Sequence, residues 1–373
     1  MAGLYIHIPF CKKKCHYCNF TIALSGSEER HTAFLSALAR EGLRHRERFQ
    51  EIPFETVYLG GGTPSALRPN ELKRLFSDLA DNFKWKSDAE LTCEVNPADA
   101  DRDKADLLAK LGVNRISYGA QSFHEETLKN LNRAHDAADI GRSFHILREA
   151  GFRNINLDLI LSLPGEGWDK ARISLEETVK LGPEHISLYE LTVEEKTMFG
   201  DLQKRGKLNL PNEEAQFETL SKAREFLKSA GYVHYELLNY SKPGFESRHN
   251  RLYWANGEYL GLGPGAYSYV DGRRWRFAES YASYLSKVEA GDWSAAEEEA
   301  LSPEHRDIES FLLALRLTDG APAARFEDVL RKFGKDIAEL SEKGLLVQED
   351  GQIRLSPKGQ FLAESVFTQL SSC

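Results

Sequence analysis

Short β-rich runs alternate with amphipathic helical patterns from the start of the chain to about residue 195, and this alternation limits the fold more than any other feature. Strands are predicted at 4–8, 56–59, 90–95, 115–119, 154–159 and 185–191. Between them a helix is expected from the cap candidate Ser27 towards Phe49. Another is expected from about Asn70, where Leu72, Leu75, Phe76 and Leu79 fall on one face. Six β-then-helix units in series ask for a parallel α/β sheet, because parallel neighbours need a crossover between them. Periodicity does not say whether the sheet is open or curled into a partial barrel.

At 373 residues the chain has room for two or three domains, read here as 1–195, 196–300 and 301–373. The middle segment holds a helical pattern over 213–230 and then a stretch, 232–275, dense in Tyr, Trp, Gly and charge. The tail has helical patterns at 305–316, 324–333 and 336–343, followed by two short strands around Asp350-Gly351, an arrangement resembling a winged helix. Acidic side chains outnumber basic ones there and the whole chain carries a formal charge of -9, so a packing or protein-contact role is favoured and nucleic acid is not expected. The most apolar run, 157–163, contains Asp158 and stops at Pro164, too short for a transmembrane segment. The first ten residues lack the leading positive charge of a secretory signal, so a cytoplasmic protein is expected.

Three of the five cysteines, Cys11, Cys15 and Cys18, fall in one loop directly after the first strand. Clustered thiols in a chain of this kind suit a metal site better than a disulfide framework. Zinc would need a fourth ligand, for which His7 and His16 are candidates, but no second Cys/His pair is present. A [4Fe-4S] cube on three cysteines leaves one iron open for a substrate or cofactor. Other polar groups stand where strands end. Gly60-Gly61-Gly62-Thr63-Pro64 follows the second strand, Glu94 ends the third, Gln121 follows the fourth, and Arg133 sits in Asn132-Arg133-Ala134. Asp158 lies in the apolar fifth strand and needs a partner to be buried there. Cys93 reads as structural and Cys373 as incidental.

The Cys-x3-Cys-x2-Cys loop after a first β-strand resembles the radical S-adenosylmethionine (SAM) superfamily, whose open iron binds SAM. The combination of Tyr5 to Cys11, Tyr17-Cys18, the glycine run, Glu94-Val95-Asn96-Pro97, Gly119-Ala120-Gln121-Ser122-Phe123 and Asp158-Leu159-Ile160 is similar to the oxygen-independent coproporphyrinogen III oxidase group. That resemblance implies a partial (β/α)6 barrel followed by an α+β region. It implies a [4Fe-4S] cluster on Cys11, Cys15 and Cys18. It also implies SAM at Tyr5, Gly61, Gly62, Thr63, Glu94, Gln121, Arg133 and Asp158, with Tyr17 beside the cluster.

Two departures point away from the oxidases. They carry a further cysteine two residues after the third, where this chain has Phe20, and a longer segment ahead of the cluster. Both departures match the haem-chaperone branch, as does His249-Asn250-Arg251-Leu252-Tyr253-Trp254. The resemblance then implies haem as cargo at His249, Asn250, Tyr253 and Trp254, delivery to a respiratory haem protein, and no settled enzymatic turnover. The alternative is oxidative decarboxylation of coproporphyrinogen III in porphyrin biosynthesis. Physically, an exposed His249 offers an axial ligand and Tyr253 and Trp254 offer flat faces, with His234 and His305 as rivals for the iron. Lys12, Lys13 and Lys14 lie between cluster ligands and form a patch suited to an acidic flavodoxin-like electron donor. A homodimer is compatible with all of this. Gly261-x-Gly263-x-x-Ala266 is read as a backbone turn, since Pro264 interrupts it and no helix follows.

Overall fold

A computed structural model of the chain describes residues 2–371; Cys373 lies outside the described residues. The six predicted strands are present as β1 (Ala2–Ile8), β2 (Phe54–Gly61), β3 (Trp85–Val95), β4 (Arg115–Gln121), β5 (Ile155–Leu161) and β6 (His185–Glu190). They lie side by side in chain order, each parallel to the next. Helices Glu28–Phe49, Pro69–Asn82 and Trp168–Leu181 are among the crossovers. The first begins at Ser27, carries Glu28 and Glu29 in its first turn and Arg46 and Arg48 in its last, so its charges oppose its own dipole. In the second, Leu72, Leu75, Phe76 and Leu79 are all buried, as their spacing requires.

Parallel register decides which side chains share a face. Leu4, Ile6, Val57, Leu59, Leu91, Ile116, Ile155 and Leu157 belong to the main core that the helices cover. The opposite face is polar: Tyr5 pairs with Tyr58, Tyr58 with Thr92, Thr92 with Arg115, Ser117 with Asn156, and Asp158 with Ser187. A sheet with polar groups on its inner face must bond them to one another. Asn156 does this, reaching Ser117, Asp158 and His185 at 2.9, 2.7 and 2.7 Å.

The sheet does not end with the six strands. On the β6 side it continues through Asn239–Ser241 and Val233–Glu236. On the β1 side it continues through Glu258–Leu262, parallel to β1, and then Tyr267–Val270, Arg273–Arg276 and Glu297–Ala300. The aromatic and charged stretch 232–275 therefore supplies flanking strands of the sheet, with the helix Arg248–Trp254 between them. The result is an open, twelve-stranded mixed sheet that forms the partial barrel. The predicted turn is present, with Gly263 at φ 94° after its strand. A side chain at Gly263 would meet the carbonyl oxygen of His7 at 2.5 Å.

Beyond residue 300 a separate apolar cluster forms around Phe311, Phe326, Leu340, Ile353 and Val366. It joins helices Pro303–Ala314, Gly334–Glu342 and Ala363–Ser371 to a three-stranded sheet. The single helix expected over 324–333 is a 3-10 turn, Ala323–Arg325, followed by a short helix, Glu327–Lys332. No helix among the described residues is long and apolar enough to cross a membrane.

Candidate functional site

A cavity of about 370 Å³ opens at the carboxyl ends of the central strands. Parallel β/α folds place sites there because loops carry chemistry while the strands hold them rigid. Cys11, Cys15 and Cys18 line it together with Tyr17, Gly61, Gly62, Thr63, Glu94, Gln121, Arg133 and Asp158. The sequence-predicted cluster and SAM positions thus converge on one cavity, with Tyr5 the exception. The Tyr5 hydroxyl is bonded to Nδ1 of His7 at 3.1 Å, and its ring lines a second groove described below.

Several local devices build this convergence. Gln121 ends β4 in the left-handed region, φ 70°, after a register shift against β5, an unusual conformation for a residue with a side chain. Gly119 leaves the space it needs: a Cβ there would stand 3.1 Å from the Gln121 amide nitrogen and 3.2 Å from an Arg133 nitrogen. The cysteine loop is clamped from outside. The His16 amide donates to the Leu131 carbonyl at 3.1 Å, and the Asn132 side chain donates to the Lys14 carbonyl at 2.9 Å.

Electrostatics are set by burial. Burial pushes the Cys11 thiol up to about 11 and raises Cys18 as well. Thiols raised in this way shed their protons to a metal that repays the desolvation. Arg133 is the cation supplied: its guanidinium lies 3.4 Å from Cys15 Sγ, 3.4 Å from the Tyr17 hydroxyl and 2.8 Å from the Gly119 carbonyl. Glu94 is half-buried and pushed up to about 7, first by desolvation; it accepts bonds from Tyr58 at 2.9 Å and from the Gly61 amide at 3.1 Å. Burial likewise raises Asp158.

The donor set fits a polynuclear cluster better than zinc. Among the described residues, no group of three His, Cys, Asp or Glu side chains is placed to hold a single metal ion. A cube binds each thiolate to a different iron and so asks for wider spacing. The two histidines that might complete a zinc site are engaged. His7 bonds Tyr5 and the Thr21 carbonyl, at 3.1 and 2.7 Å, and His16 bonds the Asn130 carbonyl at 2.8 Å.

The three lysines of the loop, Lys12, Lys13 and Lys14, are all exposed. Lys12 also forms an ion pair with buried Asp99 and donates to the Ala98 carbonyl at 3.2 Å.

The His249 element corrects a second expectation. It forms the helix Arg248–Trp254, capped by Ser247, with the backbone amides of Arg248 and His249 both donating to Glu90 at 3.0 Å. His249 is not exposed: it is 2% accessible and stacks on Tyr58 with ring centroids 5.1 Å apart. Its Nδ1 bonds Thr56 at 2.7 Å and its Nε2 bonds Tyr253 at 2.9 Å. Burial drives its pKa down to about 3, so it is a neutral floor residue of the barrel. Asn250 takes the Ser247 cap on its backbone amide. Tyr253 and Trp254 do reach a groove, which Tyr5, Tyr259, Tyr267 and Arg274 also line. Trp254 lies under the Arg316 guanidinium at 4.2 Å. The rivals are placed differently: His234 stacks on Tyr240 and His305 is exposed on the Pro303–Ala314 helix. Sequence reading singled out neither Tyr259 nor Arg274, which stand in strands with no motif to mark them.

Comparison with known proteins agrees with this geometry. The radical SAM superfamily family matches residues 5–177, and the HemN C-terminal domain matches residues 301–362. A protein of Bacillus subtilis named heme chaperone HemW is 34% identical over 98% of both chains. Its Escherichia coli namesake is 33% identical over 88% of each. In the solved structure of coproporphyrinogen III oxidase (HemN) from Escherichia coli, the fold superposes with a TM-score of 0.87 at 24% identity, covering all of this chain and 90% of that one.

Proposed function

The chain belongs to the radical SAM superfamily, in the family of proteins named heme chaperone HemW, and from that premise we propose that it is a haem chaperone of the cytoplasm. In this reading it carries haem to respiratory haem proteins and keeps a [4Fe-4S] cluster and SAM as resident groups. Cys11, Cys15 and Cys18 hold the cluster, and Gly61, Gly62, Thr63, Glu94, Gln121, Arg133 and Asp158 hold SAM. When bound, the cluster supplies an electron to the SAM sulfonium. The chain's own residues position these groups. Arg133 brings positive charge to the thiols, Glu94 and Asp158 would offer carboxyl groups to SAM from the cavity wall, and Gly119 keeps the wall clear for Gln121. Haem is assigned to the other groove, against Tyr253 and Trp254, with His249 and Asn250 shaping the helix behind it.

One observation carries the chaperone reading over the oxidase reading. Coproporphyrinogen has four carboxylates, yet the cluster cavity offers little to receive them. Lys12 is engaged by Asp99 and Arg133 by Gly119, Cys15 and Tyr17, which leaves Lys13, while Glu194 adds negative charge to the wall and Glu190, pushed up to about 7 by burial, adds an acid. Phe20, at the oxidases' additional cysteine position, is 64% exposed at the same mouth. The test pairs two assays on anaerobically reconstituted protein: SAM, reductant and coproporphyrinogen III in one, titration with haem in the other. Stoichiometric haem uptake without protoporphyrinogen supports the reading, and product formation overturns it.

A further inference from the structure

Gln121 is the middle residue of a strained turn. The Ser122 amide donates to the Ala120 carbonyl at 2.9 Å, with Gln121 between them at φ 70°. This is a γ-turn of the rare kind, which a residue with a side chain keeps only where its neighbours fix both flanks. On the downstream flank the Ser122 hydroxyl accepts from the His124 amide and the Phe123 amide donates to the Ser174 hydroxyl, both at 3.2 Å. On the upstream flank Arg133 holds the Gly119 carbonyl at 2.8 Å. The Ala120 carbonyl, which closes the turn itself, is held by His135, whose Nε2 stands 3.1 Å away. A carbonyl only accepts, so Nε2 is the donor.

His135 is buried and does not line the cavity. Its Nδ1 lies 3.1 Å from Oδ1 of Asn96, which directly follows the end of β3. The Asn96 amide donates in turn to the Ser65 hydroxyl at 3.1 Å, in the short 3-10 turn that follows Thr63. One ring therefore spans the ends of β4 and β3, and the turn beyond β2 is one bond further on. Gln121, Glu94 and Thr63 stand at these three places and all line the cavity. The ring is fixed from behind, because Asp136 caps the helix Ala137–Glu149 by accepting from the Asp139 amide at 2.8 Å. Arg133 does not duplicate this role: it reaches the carbonyl before the turn, and its guanidinium also serves Cys15 and Tyr17. We infer that His135 is a positioning residue for SAM, holding the Ala120 carbonyl so that Gln121 keeps its turn and its side chain stays at the cavity wall.

This inference rests on the SAM reading above, and one experiment separates the two. The full chain, loaded anaerobically with iron and sulfide, is titrated with SAM by calorimetry. Iron content, circular dichroism and the electron paramagnetic resonance of the reduced cluster are followed alongside. Wild type should bind SAM and change its resonance on binding. His135→Leu should keep its iron and its fold but bind SAM roughly tenfold more weakly, the loss of one buried hydrogen bond. His135→Gln places an amide donor near the position of Nε2 and should restore most of the affinity, whereas His135→Asn is too short to reach Ala120 and should not. Because His135 acts through Gln121, combining His135→Leu with Gln121→Ala should weaken binding no further than Gln121→Ala alone. Wild-type affinity in His135→Leu, or losses that add in the combined variant, overturns the inference and leaves the SAM reading standing. Should His135→Leu fail to fold, the other pair decides: weak binding by His135→Asn beside tight binding by His135→Gln supports the inference, and equal affinities overturn it. Absence of SAM binding by the cluster-loaded wild type overturns the SAM reading and this inference with it.

Discussion

Arg133 places one guanidinium nitrogen 3.4 Å from the sulfur of Cys15, making it the nearest fixed cation to the thiol loop. It is half-buried and anchored to the Gly119 carbonyl at 2.8 Å, so solvent screens it less than a surface charge. Cluster potentials follow net charge and hydrogen bonds at the sulfurs. Arg133→Gln should therefore shift the cluster's reduction potential negative by roughly tens of millivolts, measured by a redox titration of the reconstituted protein. An unchanged potential would remove Arg133 from this role.

Lys12, Lys13 and Lys14 are all exposed, and Lys12 is additionally tied to Asp99 by an ion pair, which leaves Lys13 and Lys14 as the pair to reverse. Charge steering acts on encounter rates and fades as salt screens it. Reversing Lys13 and Lys14 to Glu should slow cluster reduction by a flavodoxin-type donor several-fold at low salt, with the difference shrinking at high salt. Stopped-flow rates across ionic strength test this. Lys12→Ala should act instead on stability, by leaving Asp99 buried without its cation.

The central strands were legible because each is an apolar, β-branched run closed by a glycine or polar residue, with an amphipathic helix after it. Leu72, Leu75, Phe76 and Leu79 are buried where their spacing puts them. The flanking strands were not legible. Glu258–Leu262 pairs with β1 from more than two hundred residues away, and Arg273–Arg276 balances its charges against Glu297 and Glu298 on the neighbouring strand. Long-range pairing and cross-strand charge leave no local periodicity to read. The cavity lining was legible as a set of strand ends, with Tyr5 outside it. The burial of His249 was not, because a seven-residue helix carries too few turns to declare which face it buries.

Glu41 supplies a pH test remote from the cavity. It is buried in the first helix, accepts from the Gly263 amide at 2.9 Å and from Tyr284 at 2.7 Å, and is pushed up to about 7 chiefly by burial. A carboxyl whose folded pKa lies above its unfolded value stabilises the fold below the unfolded value. It loses that contribution as pH rises through the folded one. Wild type should therefore lose stability between about pH 4.5 and pH 7 relative to Glu41→Gln, by at most ~3 kcal/mol. Denaturant midpoints of both proteins at pH 5 and pH 8 give the comparison, and parallel pH slopes would contradict it.

His249→Ala removes a fully buried ring and strands the Thr56 and Tyr253 hydroxyls that bonded it. The combined loss of packing and hydrogen bonds should cost about 2–4 kcal/mol. A urea midpoint shifted down with little change in slope is the expected result, and a stability equal to wild type would place the ring outside the barrel floor.

The central claim is that three thiols at the mouth of the partial barrel carry an iron-sulfur cube. Metal and acid-labile sulfide analysis of anaerobically purified protein, beside Cys15→Ala, tests it most directly. The account predicts about four iron and four sulfide per wild-type chain, and loss of both in a Cys15→Ala protein that remains folded. Stoichiometric zinc with neither iron nor sulfide would contradict it.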